Sequence, residues 1–133
     1  MKIYLASRFQ DQAEMREWAR KIDAAGLTVV SSWVLKDVDP NHDVRDTSDD
    51  GNRMAAVRDI NDIEKADIVV AFSPPEHFKT GRGGRHAEYG YAIARGMRIV
   101  IVGQREHIFH WLRPCIAPSD LIDYLVSLSY TLK

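Results

Sequence analysis

The chain has 133 residues, of which 45% are hydrophobic and 28% charged, and its formal net charge at pH 7 is -1. This length suits one domain spanning residues 1–133, with the composition of a globular protein. A charge near zero excludes the strongly basic surface that attracts nucleic acid or an anionic membrane, so we expect a small-molecule partner.

The cysteine content and the apolar runs of the sequence indicate the cellular compartment of the protein. Cys115 is the only cysteine, which excludes an internal disulfide and fits a reducing environment. The first apolar run, residues 3–6, is too short for a signal peptide, and no later run approaches the roughly 18 apolar residues of a membrane span. We therefore expect a cytoplasmic protein.

The first half of the chain alternates strand and helix patterns. Residues 3–6 predict a strand, residues 11–25 show helical spacing that ends at Gly26, and residues 27–30 predict a second strand. Residues 36–52 are polar and rich in turn formers, which indicates a long irregular segment. A helix is predicted at residues 53–65.

The second half continues the alternation with a central strand at residues 67–72, a glycine-rich loop at residues 73–82 and a helix at residues 83–94. A strand at residues 98–102, an aromatic-rich piece at 107–112, a short strand around 115–116 and a helix at 118–128 follow. Such alternation predicts a flavodoxin-like or Rossmann-like three-layer α/β sandwich with a parallel sheet of four or five strands.

Polar side chains follow the predicted strands, at the edge where open parallel sheets bind ligands. They supply hydroxyls, guanidinium groups, aromatic faces and free amides, which suit a ribosyl or nucleotide ligand. The predicted substrate-binding residues at this edge are Ser7, Arg8, Phe9, Trp33, Ser73, Arg82, Gly83 and Gly84. For Trp33 there are two alternatives, stacking on a base and packing in the core.

Glu88 is the leading candidate for a reactive group. It lies about one turn into the helix that follows the glycine-rich loop, where the helix dipole favours an ionised carboxylate. A glutamate held there is suited to attack an electrophilic carbon at neutral pH. The alternative is an acid that only pairs with the helix dipole.

Three segments, residues 2–9, 58–71 and 84–92, together resemble the nucleoside 2-deoxyribosyltransferase family, above all phage-borne and bacterial relatives with a Gly-Arg-Gly-Gly-Arg-His loop. The resemblance implies that Glu88 attacks the anomeric carbon of a 2'-deoxynucleoside and expels the base. A second base then resolves the covalent glycosyl-enzyme. We expect no cofactor.

The resemblance assigns further residues. Asp59 matches the family aspartate that assists the leaving base or positions the sugar, and Tyr91, in the Gly-Tyr-Ala step after the nucleophile, is expected to bind substrate. The alternative is that Asp59 is an ordinary surface acid, because Arg58 and Asp62 on the same helix are spaced for an i,i+4 ion pair. Asp62 is a weaker site candidate.

Arg82 departs from the family pattern. In well-studied transferases an aspartate that contacts the base lies six residues before the nucleophile, so base specificity does not carry over. Arg82 and Arg85, beside Gly83 and Gly84, suit a phosphate, with solvated loop charge as the alternative. A monophosphate N-glycosidase, a non-catalytic nucleotide-binding module and a purely structural partner protein therefore stay open.

Residues 107–112 place bulky apolar groups near the ligand edge. Because a neighbouring subunit completes each site in the family, we expect a homo-oligomer, a dimer or larger, with His110 or Trp111 near the partner's pocket. The alternative is that Phe109 and Trp111 cover the end of the core. The five histidines give no recognisable metal set, since His107 and His110 lack a third ligand nearby in the sequence, so no metal is predicted.

Overall fold

A computed structural model describes residues 1–36, 45, 47–75 and 83–132 of the chain. Five strands form one parallel sheet in the order β2-β1-β3-β4-β5, which is the flavodoxin-like arrangement. The strands are β1 (Lys2–Ala6), β2 (Thr28–Val29), β3 (Ile68–Phe72), β4 (Arg98–Val102) and β5 (Cys115–Ile116). The predicted three-layer α/β fold is confirmed, with five strands.

Four α-helices accompany the sheet in the described part of the chain: α1 (Gln12–Ala24), α2 (Asp49–Lys65), α3 (Gly84–Ala94) and α4 (Leu121–Thr131). None of them is both long and apolar enough to cross a membrane. Short 3-10 turns precede α1 and α4 and form the connections Ser32–Val34 and Ile108–Leu112.

Helix α2 begins four residues before the predicted start at residue 53. Ser48 caps it by accepting a hydrogen bond from the Gly51 amide at 3.0 Å, and Asp49 and Asp50 lie in the first turn, where the dipole favours acids. Gly51 favoured a loop in the sequence, but the cap outweighs its low helix propensity. The rest of the predicted irregular segment, residues 37–44 and 46, lies outside the described residues.

Phe72 and Tyr4 lie on opposite faces of the sheet and contact different helices. Phe72 of β3 packs its ring against Trp18 of α1 at 5.9 Å between centroids. Tyr4 of β1 is in register with Val69, so its side chain points to the opposite face from Phe72 and meets α3. Strands β3 and β4 are buried on both faces apart from Arg98, as expected of central parallel strands.

Gly103, directly after β4, lies very close to the backbone at the end of the neighbouring strand β3. Its φ is +112°, and a Cβ there would lie 2.5 Å from the Ser73 carbonyl oxygen, at the end of β3. Gly26 also has positive φ, at +83°, but a Cβ there would meet none of the described residues within 4 Å. Among the glycines that the structure describes, only Gly103 combines a positive φ with a collision for a Cβ.

Replacing each of these glycines by alanine separates the two effects. Gly26→Ala should lower the free energy of unfolding by about 1 to 2 kcal/mol through the left-handed backbone alone. Gly103→Ala should cost roughly 3 kcal/mol or more, because the ends of β3 and β4 must also move apart. Urea unfolding curves measure both values, and equal losses would contradict the close approach at Gly103.

Candidate active site

A tyrosine from the middle of the sheet holds the candidate nucleophile. Tyr4 is fully buried on β1, and its hydroxyl donates a hydrogen bond to Oε2 of Glu88 on α3. This role of Tyr4 was not predictable from the sequence, because the partners are 84 residues apart. The pair fixes the Glu88 carboxylate against the face of the sheet that α2 and α3 cover.

Burial changes the protonation of Glu88. Burial raises the pKa of Glu88, and the nearby Asp59 carboxylate acts in the same direction, while the Tyr4 hydrogen bond and the charge of Arg58 lower it, and the net pKa is about 8. This value runs against the expectation that the helix dipole keeps Glu88 ionised, because desolvation outweighs the dipole. The protonated form is therefore the larger fraction at pH 7.

Asp59 belongs to the same electrostatic cluster. It lies on α2, partly buried, and its charge acts on both Glu88 and Tyr4. Arg58 donates to Asp59 Oδ1 from Nη2 at 3.1 Å and from Nε at 3.3 Å. Burial raises the pKa of Asp59 against the lowering effect of Arg58. The fold thus brings Glu88, Tyr4 and Asp59 together.

Asp62, the second candidate acid on α2, has a structural role. Asp62 is buried and accepts hydrogen bonds from the Ser32 amide, at 3.0 Å, and from the Ser32 hydroxyl. The suggested Arg58–Asp62 ion pair is replaced by the Arg58–Asp59 contact, and Lys65 lies 3.9 Å from Asp62.

Three predicted binding residues line a cavity of about 670 Å³, namely Ser7, Arg8 and Ser73. Trp18 and Phe72 also line it, which places it on the α1 face of the sheet. Glu88 meets Tyr4 on the other face and is not among the described residues that line this cavity. Arg8 also forms a two-pronged ion pair with Asp11, with both contacts at 2.8 Å.

The predicted aromatic contacts have other partners. Trp33 is 5% exposed and its indole N–H donates to the Leu5 carbonyl at 2.9 Å, which favours its packing alternative. Phe9 packs near the Trp33 ring at 6.2 Å between centroids. Tyr91 donates to the Glu64 carboxylate at the end of α2. It therefore joins α2 to α3 about a turn further from the ligand edge than Glu88.

The glycine-rich loop is described only in part. Arg82 lies outside the described residues, while Gly83 and Gly84 are exposed at the start of α3. Arg85 pairs with Glu106, and one of its contacts, from Nη2 to Oε1, is 2.8 Å long. The Arg85 guanidinium thus has an internal carboxylate partner.

The connection between β4 and β5 has one buried histidine and several exposed apolar side chains. His110 is 2% exposed, and its Nδ1 accepts the Glu106 amide at 3.0 Å, while a position of His110 or Trp111 near a partner's pocket stays a prediction. Phe109 and Trp111 are 58% and 66% exposed and do not cover the core. His86 of α3 lies beside His107 and His110 and is the third histidine that sequence spacing did not supply.

The fold and the carboxylate cluster define an α/β protein of the flavodoxin-like class with a partly buried, hydrogen-bonded glutamate near the carboxyl edge of the sheet. A sequence profile of the nucleoside 2-deoxyribosyltransferase family matches residues 3–120, and the chain belongs to this family. No curated protein sequence matches the chain in direct comparison.

Among solved structures, the chain is similar to a 2-deoxyribosyltransferase from the psychrotolerant bacterium Bacillus psychrosaccharolyticus. The TM-score is 0.71 and the sequence identity 19%, over 93% of this chain and 92% of the other. At this identity the likeness concerns the fold.

The raised pKa of Glu88 predicts a stability effect with a definite sign. Because its pKa is about 8 in the folded protein against an ordinary value of 4.5, the folded state binds more protons between these pH values. Stability should therefore fall as pH rises from about 4.5 to 8. Glu88→Gln removes this loss and should stabilise the protein at pH 9 by roughly 1 to 3 kcal/mol, a figure discounted for partial exposure.

Thermal and urea unfolding of both proteins between pH 4 and pH 9 measures the effect. The advantage of Glu88→Gln should shrink towards zero below about pH 5. Glu17→Gln, which alters an acid 61% exposed on α1, serves as the control and should follow the wild-type pH dependence. A pH-independent difference for Glu88→Gln would contradict the raised pKa.

Proposed function

We propose that the protein cleaves the N-glycosidic bond of a 2'-deoxynucleoside and transfers the deoxyribosyl group to another base. Membership of the family supports this reaction class. The observation that carries the proposal is Glu88, partly buried, hydrogen-bonded to Tyr4 and close to the charge of Asp59. A carboxylate below the sugar ring stabilises an oxocarbenium-like transition state and captures it covalently.

In the first step, a Glu88 carboxylate oxygen bonds to C1' of the sugar as the C1'–N bond breaks, and the bonding electrons leave with the base. Asp59, whose pKa is raised by burial, is placed to supply a proton to that base or to hold the sugar. In the second step, a nitrogen of the acceptor base attacks C1' and the bond to Glu88 breaks. Water as the acceptor gives hydrolysis instead.

The protonation of Glu88 constrains the first step, because only the carboxylate attacks. The Tyr4 hydroxyl stabilises the ionised form by donating to it, which lowers the cost of losing the proton. In this proposal kcat/KM of the enzyme rises with pH up to about pH 8.

The substrate favoured here is the unphosphorylated nucleoside. A 5'-phosphate would need free guanidinium groups near the start of α3, and Arg85 is engaged with Glu106. The monophosphate N-glycosidase is the alternative, and it requires a phosphate to compete with Glu106 for Arg85. We expect deoxy substrates to be preferred over ribo substrates, because a 2'-hydroxyl beside Glu88 alters packing and the stability of the oxocarbenium ion.

Substitution of the two acids tests the reaction. Glu88→Ala should reduce base release by about a thousand-fold or more, because the covalent intermediate cannot form. Asp59→Asn should slow it roughly ten- to a hundred-fold. The assay is chromatography of free bases from a panel of deoxynucleosides, ribonucleosides and their monophosphates, with and without an acceptor base.

Asp67→Asn is the matched control, since Asp67 accepts the Lys2 amide at 2.7 Å at the start of β3 and lies outside the cluster. It should keep wild-type turnover. Near-normal turnover by folded Glu88→Ala would refute the assignment of the nucleophile. Base release from monophosphates alone, unaffected by acceptor bases, would identify the hydrolase instead, and no release from any substrate would favour the binding module.

We further propose that the protein is a homodimer or larger assembly. Four apolar side chains of the β4–β5 connection are more than half exposed, and they are Ile108, Phe109, Trp111 and Leu112. An apolar surface of this kind is typical of an interface, and a second copy is the partner that the family resemblance implies. The cytoplasmic location remains a prediction based on the single cysteine.

Light scattering at micromolar concentration tests the assembly. Trp111→Glu should shift the wild-type oligomer to the monomer, because a charge buried in an apolar interface lacks a partner. Tyr130→Glu, at another exposed aromatic side chain on α4, is the control and should leave the assembly unchanged. A fully active wild-type monomer would refute the proposal.

A further inference from the structure

Three histidines that are far apart in the sequence meet beside α3. His86 lies in the first turn of α3, and His107 and His110 lie on the connection between β4 and β5. One nitrogen from each ring contributes to a set of three that all lie within 4.8 Å of one another. We propose that these three histidines bind one divalent transition-metal ion of the zinc class.

The spacing of two of the nitrogens fits such an ion. His107 Nε2 and His86 Nδ1 are 3.2 Å apart. Two nitrogens bonded at about 2.0 to 2.1 Å to a tetrahedral ion lie roughly 3.3 to 3.4 Å apart. These two rings therefore accept an ion with very little movement. The ion replaces the hydrogen bond that now joins them.

The surroundings resemble the outer shell of a histidine metal site. A metal-binding histidine commonly directs its second ring nitrogen at a carboxylate. Nε2 of His86 lies 4.0 Å from Oε2 of Glu106, and Arg85 holds that carboxylate in place. Nδ1 of His107 is buried and has no hydrogen-bond partner among the described residues, so hydrogen bonding alone does not account for the position of this ring.

His110 is the costliest of the three ligands. Its Nδ1 accepts the Glu106 amide at 3.0 Å, so the proton of the neutral ring is on Nε2. Binding through Nε2 requires that proton to move to Nδ1 and the amide to turn away.

The ligand chemistry selects the ion. Neutral imidazoles suit zinc, cobalt, nickel and copper, whereas magnesium and calcium prefer oxygen ligands. With three protein ligands, a tetrahedral ion retains one position for water. Bound there, the ion would join the β4–β5 connection to the first turn of the helix that carries Glu88, and it would hold that helix in place.

The alternative is an aromatic cluster without a metal. Tyr89 packs edge-on against the rings of His107 and His110, with centroids 5.8 and 4.9 Å apart, and its hydroxyl donates to the Phe109 carbonyl at 2.5 Å. Ring packing needs no ring nitrogen, whereas metal binding does. Phenylalanine in place of histidine therefore separates the two roles.

The experiment uses the full chain without a histidine tag, stripped with a chelator and titrated with Co²⁺ and then Zn²⁺. Wild type should bind one Co²⁺ per chain, with the intense visible absorption of a tetrahedral site, and Zn²⁺ should displace it while Mg²⁺ does not. At about a hundred-fold excess of Zn²⁺ over the dissociation constant, the melting temperature should rise by roughly 5 °C or more. These readouts do not depend on catalytic activity.

Variants locate the site. His86→Phe and His107→Phe should abolish the absorption and the thermal shift, and His110→Phe should weaken Zn²⁺ binding about ten-fold or more. Tyr89→Phe is the matched control, since it removes a hydroxyl of the cluster but no ligand, and it should retain one ion per chain. Circular dichroism of the metal-free variants checks their folding, and if His107→Phe does not fold, the half-buried His86→Gln decides. Absence of Co²⁺ binding by wild type, or unchanged binding by folded His86→Gln, would overturn the proposal.

Discussion

The arrangement of the site depends on one partly buried hydrogen bond, from the Tyr4 hydroxyl to the Glu88 carboxylate. Tyr4 is fully buried in β1, an interior strand between β2 and β3, so its hydroxyl has a fixed position relative to the backbone of β1. Because Glu88 is on α3, the bond also fixes that helix against the sheet. The cost is desolvation of the carboxyl group, which is apparent in its raised pKa of about 8.

This conflict between burial and charge is typical of functional sites, where a group is held in a less stable protonation state because the chemistry requires its position. Arg58 and Tyr4 offset part of the cost for Glu88, whereas Asp59 adds to it. The negative charge of Asp59 also hinders loss of the proton from Glu88. The positive charge that develops at C1' in the proposed transition state would relieve this repulsion.

Helix α3 connects the site to the surface of the β4–β5 connection. Glu88 faces Tyr4 on one side of the helix, while His86, Arg85 and Tyr89 contact residues 106–110. The same connection also carries the exposed apolar side chains Ile108, Phe109, Trp111 and Leu112. Packing of a second subunit or binding of an ion at this connection would therefore act on the helix that positions the candidate nucleophile.

The sequence determined the strands, the order of strand and helix, and the candidacy of Glu88, because apolar periodicity and the position after a glycine-rich loop are local signals. The start of α2 escaped prediction because the Ser48 cap outweighed the helix-breaking tendency of Gly51. Only the tertiary structure paired Tyr4 with Glu88, Arg85 with Glu106 and His86 with His107, since these partners are 84, 21 and 21 residues apart. It also reversed the expected ionisation of Glu88, because a pKa depends on burial, and burial is a property of the folded chain.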